Sequence, residues 1–316
     1  MAVFEDFDRP IYKVLASNDT GAAPGHQGGF VLPKDLEQYL PLLKNRTSAA
    51  NPTVEHFITA DLFDGQTYLD TVETRYQYQT WGGARPPERR ITGNISTLRN
   101  LADKDDVLII ERGIENEDHY RFTLVRAGTP RYASLLASFG GKRWGSLFPN
   151  EPPVLESEIE NAESEITEAE DDPFSMFDAE AGYSESRARR ISRSRAFQRR
   201  IHEVYQNRCA FCGSGLLHPK GWSETDAAHI VPRSLKGADD TRNGILLCKA
   251  HHWAFDWGMV GITSQYKIIV PSVVSGLPEN ASLGGLALKE IFLPSEKKLF
   301  PSLEALEWHR QNLLLS

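Results

Sequence analysis

Cysteine is scarce in this chain, with three in 316 residues. Three thiols cannot form a disulfide framework, which excludes the small stapled scaffolds of secreted proteins. Long apolar runs are also missing. None reaches the ~20 residues that a membrane span requires, and the opening MAVFEDFDRP is acidic and broken by proline, unlike a secretory leader. These absences predict a cytoplasmic protein with no membrane partner. Lysine and arginine are absent from residues 151–185, which hold 13 acidic side chains. The formal net charge of −8 therefore comes from one segment. Outside it, 35 basic residues face 30 acidic ones, a mildly basic balance compatible with nucleic acid.

The length suggests two domains. Residues 1–150 contain β-rich runs at 54–63, 75–81, 107–113 and 119–128, with helical patterns at 35–43 and 130–140 and Gly/Pro turns between them. Many short strands predict a barrel or pseudobarrel. Residues 151–183 read as an acidic linker, either a solvated tether or a DNA-mimicking strip. Residues 184–316 form the second domain. It opens on SRARRISRSRAFQRR, where Ile191, Phe197, Ile201 and Val204 make one apolar helical stripe. The arginines on the other faces are placed to rest on phosphates or simply in water.

Every cysteine sits at metal-ligand spacing. Cys209 and Cys212 form a CxxC knuckle, and Cys248 and His251 form a CxxH pair further on. Two such pairs supply the tetrahedral soft-ligand set of a closed structural Zn²⁺ site. His252 follows His251 and, on a helix, points ~100° away from it. Asp256, four residues on, shares the His252 face and makes with it a pair suited to a catalytic divalent ion, Mg²⁺ or Mn²⁺. His229 lies in the short apolar strand AAHIVP, and Asn243 lies in TRNGILLC before the helix.

This order and spacing resemble the HNH nuclease family, the ββα-metal fold, in its McrA-like, zinc-carrying branch. The likeness covers about 208–260 and extends toward the closing helix SLEALEWHRQN. It implies that His229 is the general base, that Asn243 fixes the loop orienting it, and that His252 holds the catalytic metal. It also implies products with 5′-phosphate and 3′-hydroxyl ends. One position departs from the pattern. Ala228 stands where many members carry a metal-ligating Asp or His. Asp256 is the expected substitute. Asp226, three residues from His229 on a strand and so on the opposite face, is the second choice.

The N-terminal half resembles a second family, the DNA-binding pseudobarrel of the EcoRII N-terminal type. The likeness rests on SNDTGAAPGHQGG, the turn at Pro33 and ERRIT, over about 11–95. It implies two loops clamping one major groove of double-stranded DNA. Ser17, Asn18, Asp19, Thr20, His26 and Gln27 lie on the first; Arg75, Tyr76, Gln79, Trp81, Arg85, Glu88, Arg89 and Arg90 lie on the second. Arginine can grip guanine, glutamate can accept from cytosine, and amide side chains can read adenine.

The fold class expected is therefore α+β in two domains: a β-rich DNA-binding pseudobarrel, then an HNH domain with structural zinc. The expected function is a restriction-type DNA endonuclease whose first domain reads a short, modified site, for instance a methylated one. Two alternatives stay open. One is a methylation-sensitive, sequence-specific restriction enzyme with a companion methyltransferase. The other is a non-catalytic DNA-binding regulator, kept open by Ala228. Because one HNH centre cuts one strand, a double-strand break calls for a homodimer or two visits.

Overall fold

The computed structural model describes residues 7–20, 28–43, 47–81, 86–114, 116–178, 186–219 and 223–316. His26, Gln27 and Arg85 lie outside the described residues. The chain divides into two compact units, Met1–Glu158 and Ile159–Ser316.

The first unit is one eight-stranded sheet. Its strands are β1 (Ile11–Val14), β2 (Phe30–Leu32), β3 (Thr53–Asp64), β4 (Thr67–Gln79), β5 (Glu88–Thr92), β6 (Val107–Arg112), β7 (His119–Val125) and β8 (Trp144–Ser146). They lie in the order β2-β5-β4-β3-β7-β6-β1-β8. The β3–β7 pair is parallel, and the other pairs are antiparallel. The period of two decides which side chains go inside. Ile58, Ala60 and Leu62 of β3 enter one core with Tyr76, Ile91, Tyr120, Phe122 and Leu124. The short helix α1 (Ser96–Arg99) adds Leu98 to it. Strand β6 is apolar on both faces and serves two cores: Leu108 and Ile110 join the first, Val107 and Ile109 the second. Helix α2 (Pro130–Ser138) covers that second core, where Phe139 stacks on Tyr12 with ring centres 3.6 Å apart. The sheet curls until its two edges approach. The Trp144 indole N–H on β8 donates to Asp35, just past β2, at 3.2 Å.

The second unit begins within helix α3 (Glu156–Ala169) and continues with α4 (Arg187–Val204), whose first turn is capped by the Ser186 hydroxyl. Strands β9 (Thr225–His229) and β10 (Gly244–Cys248) form an antiparallel pair that runs directly into helix α5 (Lys249–Asp256). The hairpin β11 (Gly261–Ile262) and β12 (Ile268–Ile269) follows, then the single turns α6 (Ser272–Ser275) and α7 (Ala281–Gly284). Helix α8 (Leu303–Asn312) closes the chain. Its His309 stacks on Phe255 of α5 at 3.9 Å and donates to the Phe255 carbonyl at 3.2 Å.

Two expectations need correction. Residues 151–183 are not a solvated tether throughout. Within them α3 buries Ile159, Ala162 and Ile166, an apolar stripe hidden in the sequence between the acids. Three arginines of α4 are paired with acids rather than left open for phosphates. Arg200 is bound by the buried Glu170 at 2.7 Å, Arg193 by Asp178 at 2.8 Å, and Arg199 lies 3.7 Å from Glu163. The basic helix and the acidic segment neutralise each other inside one unit.

Burial and the neighbouring Phe255 and Arg310 groups give His309 a distinctive titration. Desolvation pulls it down to about 4, against about 6.5 unfolded. The unfolded chain therefore takes up a proton first as pH falls, so stability is complete above about 6.5 and drains away towards pH 4. A loss of about 3 kcal/mol is expected across that window. Urea unfolding at pH 7 and pH 4.5 measures it, and His309→Phe is expected to remove most of the difference.

Candidate active site

Cys248 ends β10 and caps α5, so the strand-to-helix corner presents Cys248 and His251 from one edge of the first turn. The facing knuckle is tied to β10 by Ala210 N–H donating to the Leu246 carbonyl at 2.8 Å, and turns through Gly213 at φ +70°. The result brings Cys209, Cys212, Cys248 and His251 together with all four ligand atoms within 4.8 Å of one another. His251 Nδ1 is 3.3 Å from Cys209 Sγ and 3.1 Å from Cys248 Sγ. Edges of a tetrahedron with ~2.3 Å metal–sulfur bonds are just under ~4 Å, so the donor set fits Zn²⁺ in number, kind and spacing. The crowded sulfurs also call for a cation. Burial, then the charges of the neighbouring Cys209 and Cys212, push the Cys248 thiol up to about 12.

His252 occupies the adjacent edge of α5, turned from the sulfur cluster as the helical rotation requires. Two carboxylates flank its ring. Asp226 lies 3.7 Å from Nδ1 and Asp256 lies 3.4 Å from Nε2. Burial alone lowers His252, but Asp226 and Asp256 outweigh it and hold the ring above its ordinary value. The preference for Asp256 over Asp226 is not made by this geometry. Strand β9 turns the Asp226 side towards α5, a packing that strand alternation alone does not reveal. Asp226 also receives Lys249 Nζ at 3.0 Å. One imidazole and two carboxylates, all partly open to solvent, form a hard-donor set suited to Mg²⁺ or Mn²⁺.

His229 ends β9 opposite Gly244 of β10. A side chain at Gly244 would strike Ile201 and Phe197. The glycine lets α4 lie close enough for the Phe197 ring to stack on His229 at 3.9 Å and 11°. Asn243 is fully buried. It accepts from Val231 N–H at 2.9 Å and donates to the carbonyls of Ala238, at 2.9 Å, and Val231, at 3.2 Å, while its own carbonyl accepts from Ile230. One side chain thus pins both ends of the 230–238 loop that leaves His229.

The sequence reading missed two residues. Asp239, almost wholly buried, sits 2.9 Å from His229 Nε2. Asp178, at the end of the acidic segment, joins Arg193 at 2.8 Å and Arg233 at 2.9 Å. The local backbone supports this. Phe177 bridges to Gly237, Asp178 N–H donates to the Lys236 carbonyl, and Ala238 N–H donates to Met176. The doublet Asp239-Asp240 is a visible sequence signal, but no local period connects it to a histidine ten residues upstream.

In the first unit, three of the expected DNA contacts are interior. Asp19 is fully buried; it binds Lys13 Nζ at 2.6 Å and accepts from the Ala16 and Val31 N–H groups at 2.7 Å. Tyr76 belongs to the apolar core, and burial pushes its phenol up to about 12. Arg90 is buried against Glu88 at 2.8 Å. Ser17, Asn18, Thr20, Arg75, Gln79, Trp81, Glu88 and Arg89 keep some exposure. Arg75 pairs with Glu55 and Arg89 with Glu37. Because β2 runs antiparallel to β5, the first loop enters at Phe30 beside Ile91, whereas the second leaves at Glu88.

Residues 209–263 match the profile of the HNH endonuclease family. The matched stretch lies within the second unit. No curated protein matches the chain. Two solved structures resemble it in outline. One is the modification-dependent restriction endonuclease TagI, at 13% identity and TM-score 0.34, with 98% of this chain and 97% of that one covered. The other is the B3 domain of the UbaLAI restriction endonuclease, solved with cognate DNA, at 19% identity and TM-score 0.29, with 43% and 79% covered. Neither is near enough to transfer a residue. No helix among the described residues is long and apolar enough to cross a membrane.

The sulfur-rich cluster joins the knuckle to the β10–α5 corner, so metal removal is expected to loosen the second unit. Metal analysis is expected to give one zinc per chain, and Cys209→Ser is expected to lose it. A strong chelator is expected to lower the thermal unfolding temperature of the wild type and leave that of Cys209→Ser unmoved.

Proposed function

We propose that this chain is a restriction-type DNA endonuclease. The second unit hydrolyses a phosphodiester, and the first unit reads a short, modified site in double-stranded DNA. One observation supports the catalytic half of the reading: the HNH-matching segment carries His229 at the end of β9, Asn243 just before β10 and His252 on α5.

In this reading His229 accepts a proton from the attacking water. The water oxygen bonds to phosphorus, the bond to the 3′ oxygen breaks, and that oxygen leaves with a proton from solvent. The products carry a 5′-phosphate and a 3′-hydroxyl. Asn243 keeps the loop beside His229 in one conformation. His252, with Asp256 or Asp226, would hold a divalent ion, Mg²⁺ or Mn²⁺, which when bound supplies Lewis-acid stabilisation of charge on the phosphate and the leaving oxygen. Cys209, Cys212, Cys248 and His251 would hold Zn²⁺ for structure alone, because four protein ligands leave no place for substrate.

The reading half rests on less of the chain. Ser17, Asn18, Thr20, Arg75, Gln79, Trp81, Glu88 and Arg89, with His26, Gln27 and Arg85 outside the described residues, are the side chains offered to DNA. Asp19, Tyr76 and Arg90 are withdrawn from that set because they build the interior. A second copy of the chain, or a second visit, would complete a double-strand break.

Plasmid nicking with Mg²⁺ or Mn²⁺, on methylated and unmethylated DNA, tests the whole reading. Wild type is expected to cut modified DNA, and His229→Ala to lose roughly 10²–10⁴-fold in rate. Equal cutting of both substrates would overturn modification dependence. Undiminished cutting by His229→Ala would overturn the assignment of the base.

A further inference from the structure

A histidine that serves as a base must present a bare ring nitrogen to its substrate, and an imidazole has two nitrogens to choose between. Which one is bare depends on what the other is bonded to. At His229 the partner is an acid. Asp239 Oδ1 lies 2.9 Å from His229 Nε2, and its side chain is only 2% exposed. A carboxylate has only lone pairs to offer, so the shared hydrogen belongs to the ring.

Two cations stand beside Asp239. Its other oxygen lies 3.2 Å from Arg193 Nε on α4 and 3.4 Å from Arg233 on the loop after β9. Two guanidiniums on one carboxylate would overcompensate it. Asp178 restores the balance by accepting from the same two arginines, at 2.8 and 2.9 Å. The four groups are two cations and two anions, and Asp239 is the member that reaches the ring. Phe197 stacked on one face of His229 blocks rotation about its side-chain bond.

We propose that Asp239 is a positioning residue for the phosphodiester cleavage assigned above. It fixes His229 as the Nε2–H tautomer with Nδ1 left bare, and Asp178 clamps the arginines that hold Asp239 in place. The inference rests on the reading of His229 as a base. It adds a role for the acidic segment, whose last described residues, Met176 to Asp178, form a clip on the 236–238 backbone behind the site. As the water proton arrives at Nδ1, the imidazolium formed keeps its Nε2–H on Asp239, whose negative charge faces the new positive one. The proton then returns to solvent from Nδ1, and no charge remains on the ring.

Asp239→Asn tests this with little change of volume. An amide can turn its N–H₂ towards Nε2, which then becomes the accepting nitrogen and places the hydrogen on Nδ1. Nicking by Asp239→Asn is expected to fall roughly 10²–10⁴-fold in kcat, with the KM for DNA nearly unchanged and zinc content retained. Asp240→Asn, which alters the neighbouring carboxylate at the start of the next turn, is expected to stay near wild type. ¹⁵N NMR of ring-labelled histidine, with His229→Ala to assign the signal, reads the tautomer without any DNA. The expected result is hydrogen on Nε2 in wild type and on Nδ1, or on a mixture, in Asp239→Asn.

A wild-type His229 with its hydrogen on Nδ1 would overturn the proposal. So would a folded Asp239→Asn that keeps the wild-type tautomer or the wild-type kcat. If wild type cuts no DNA but the two tautomers differ as expected, the positioning stands and the nuclease reading falls.

Discussion

Helix α5 must face two chemistries across one turn. His251 and Cys248 look into a sulfur-rich cluster, while His252, the very next side chain, looks at two carboxylates. The helical rotation of ~100° per residue separates these environments without any linker. Three contacts hold that helix in place. Strand β10 runs straight into it, the Cys209 knuckle is bonded to β10, and His309 of α8 lies flat on Phe255. A rotation of α5 by a fraction of a turn would spoil both sites at once.

The opposite wall of the site is set by close approach. Gly244 admits α4 to contact, Phe197 then meets His229, and Arg193 from the same helix meets Asp239. A run that looks in the sequence like a basic surface therefore places much of its charge inside. The acids that neutralise it come from the segment with no basic residue at all. Glu170 illustrates the economy of this arrangement: one buried carboxylate accepts from Arg200 and from the Thr241 hydroxyl, and so joins the acidic segment, α4 and the turn that carries Asn243.

What the sequence reveals and what it hides divides along physical lines. The Cys3His quartet is legible because metal geometry imposes short, fixed spacings. His229, Asn243 and His252, the proposed catalytic residues, are picked out by their order around it. The strands of the first unit are legible where alternation is clean, as in β3 and β7. Asp239 and Asp178 are not legible, because a buried ion pair leaves no periodic trace and its partners lie 10 to 55 residues apart. Asp19, Tyr76 and Arg90 mislead in the other direction. Polar and aromatic types in a loop-like string suggest a DNA grip, yet burial turns them into fasteners for the loop and the sheet. The β-rich half also conceals its closure, since Trp144 and Asp35 stand far apart in the chain and meet only when the sheet curls.

The division of α5 into a cysteine-facing edge and a carboxylate-facing edge is open to one direct measurement: zinc-edge X-ray absorption on wild type, His251→Ala and His252→Ala. Three sulfurs and one nitrogen are expected around zinc in wild type, the same shell in His252→Ala, and loss of the nitrogen in His251→Ala. A shell that changes when residue 252 is replaced would mean that both histidines serve one ion, and the separation on which the whole site depends would be wrong.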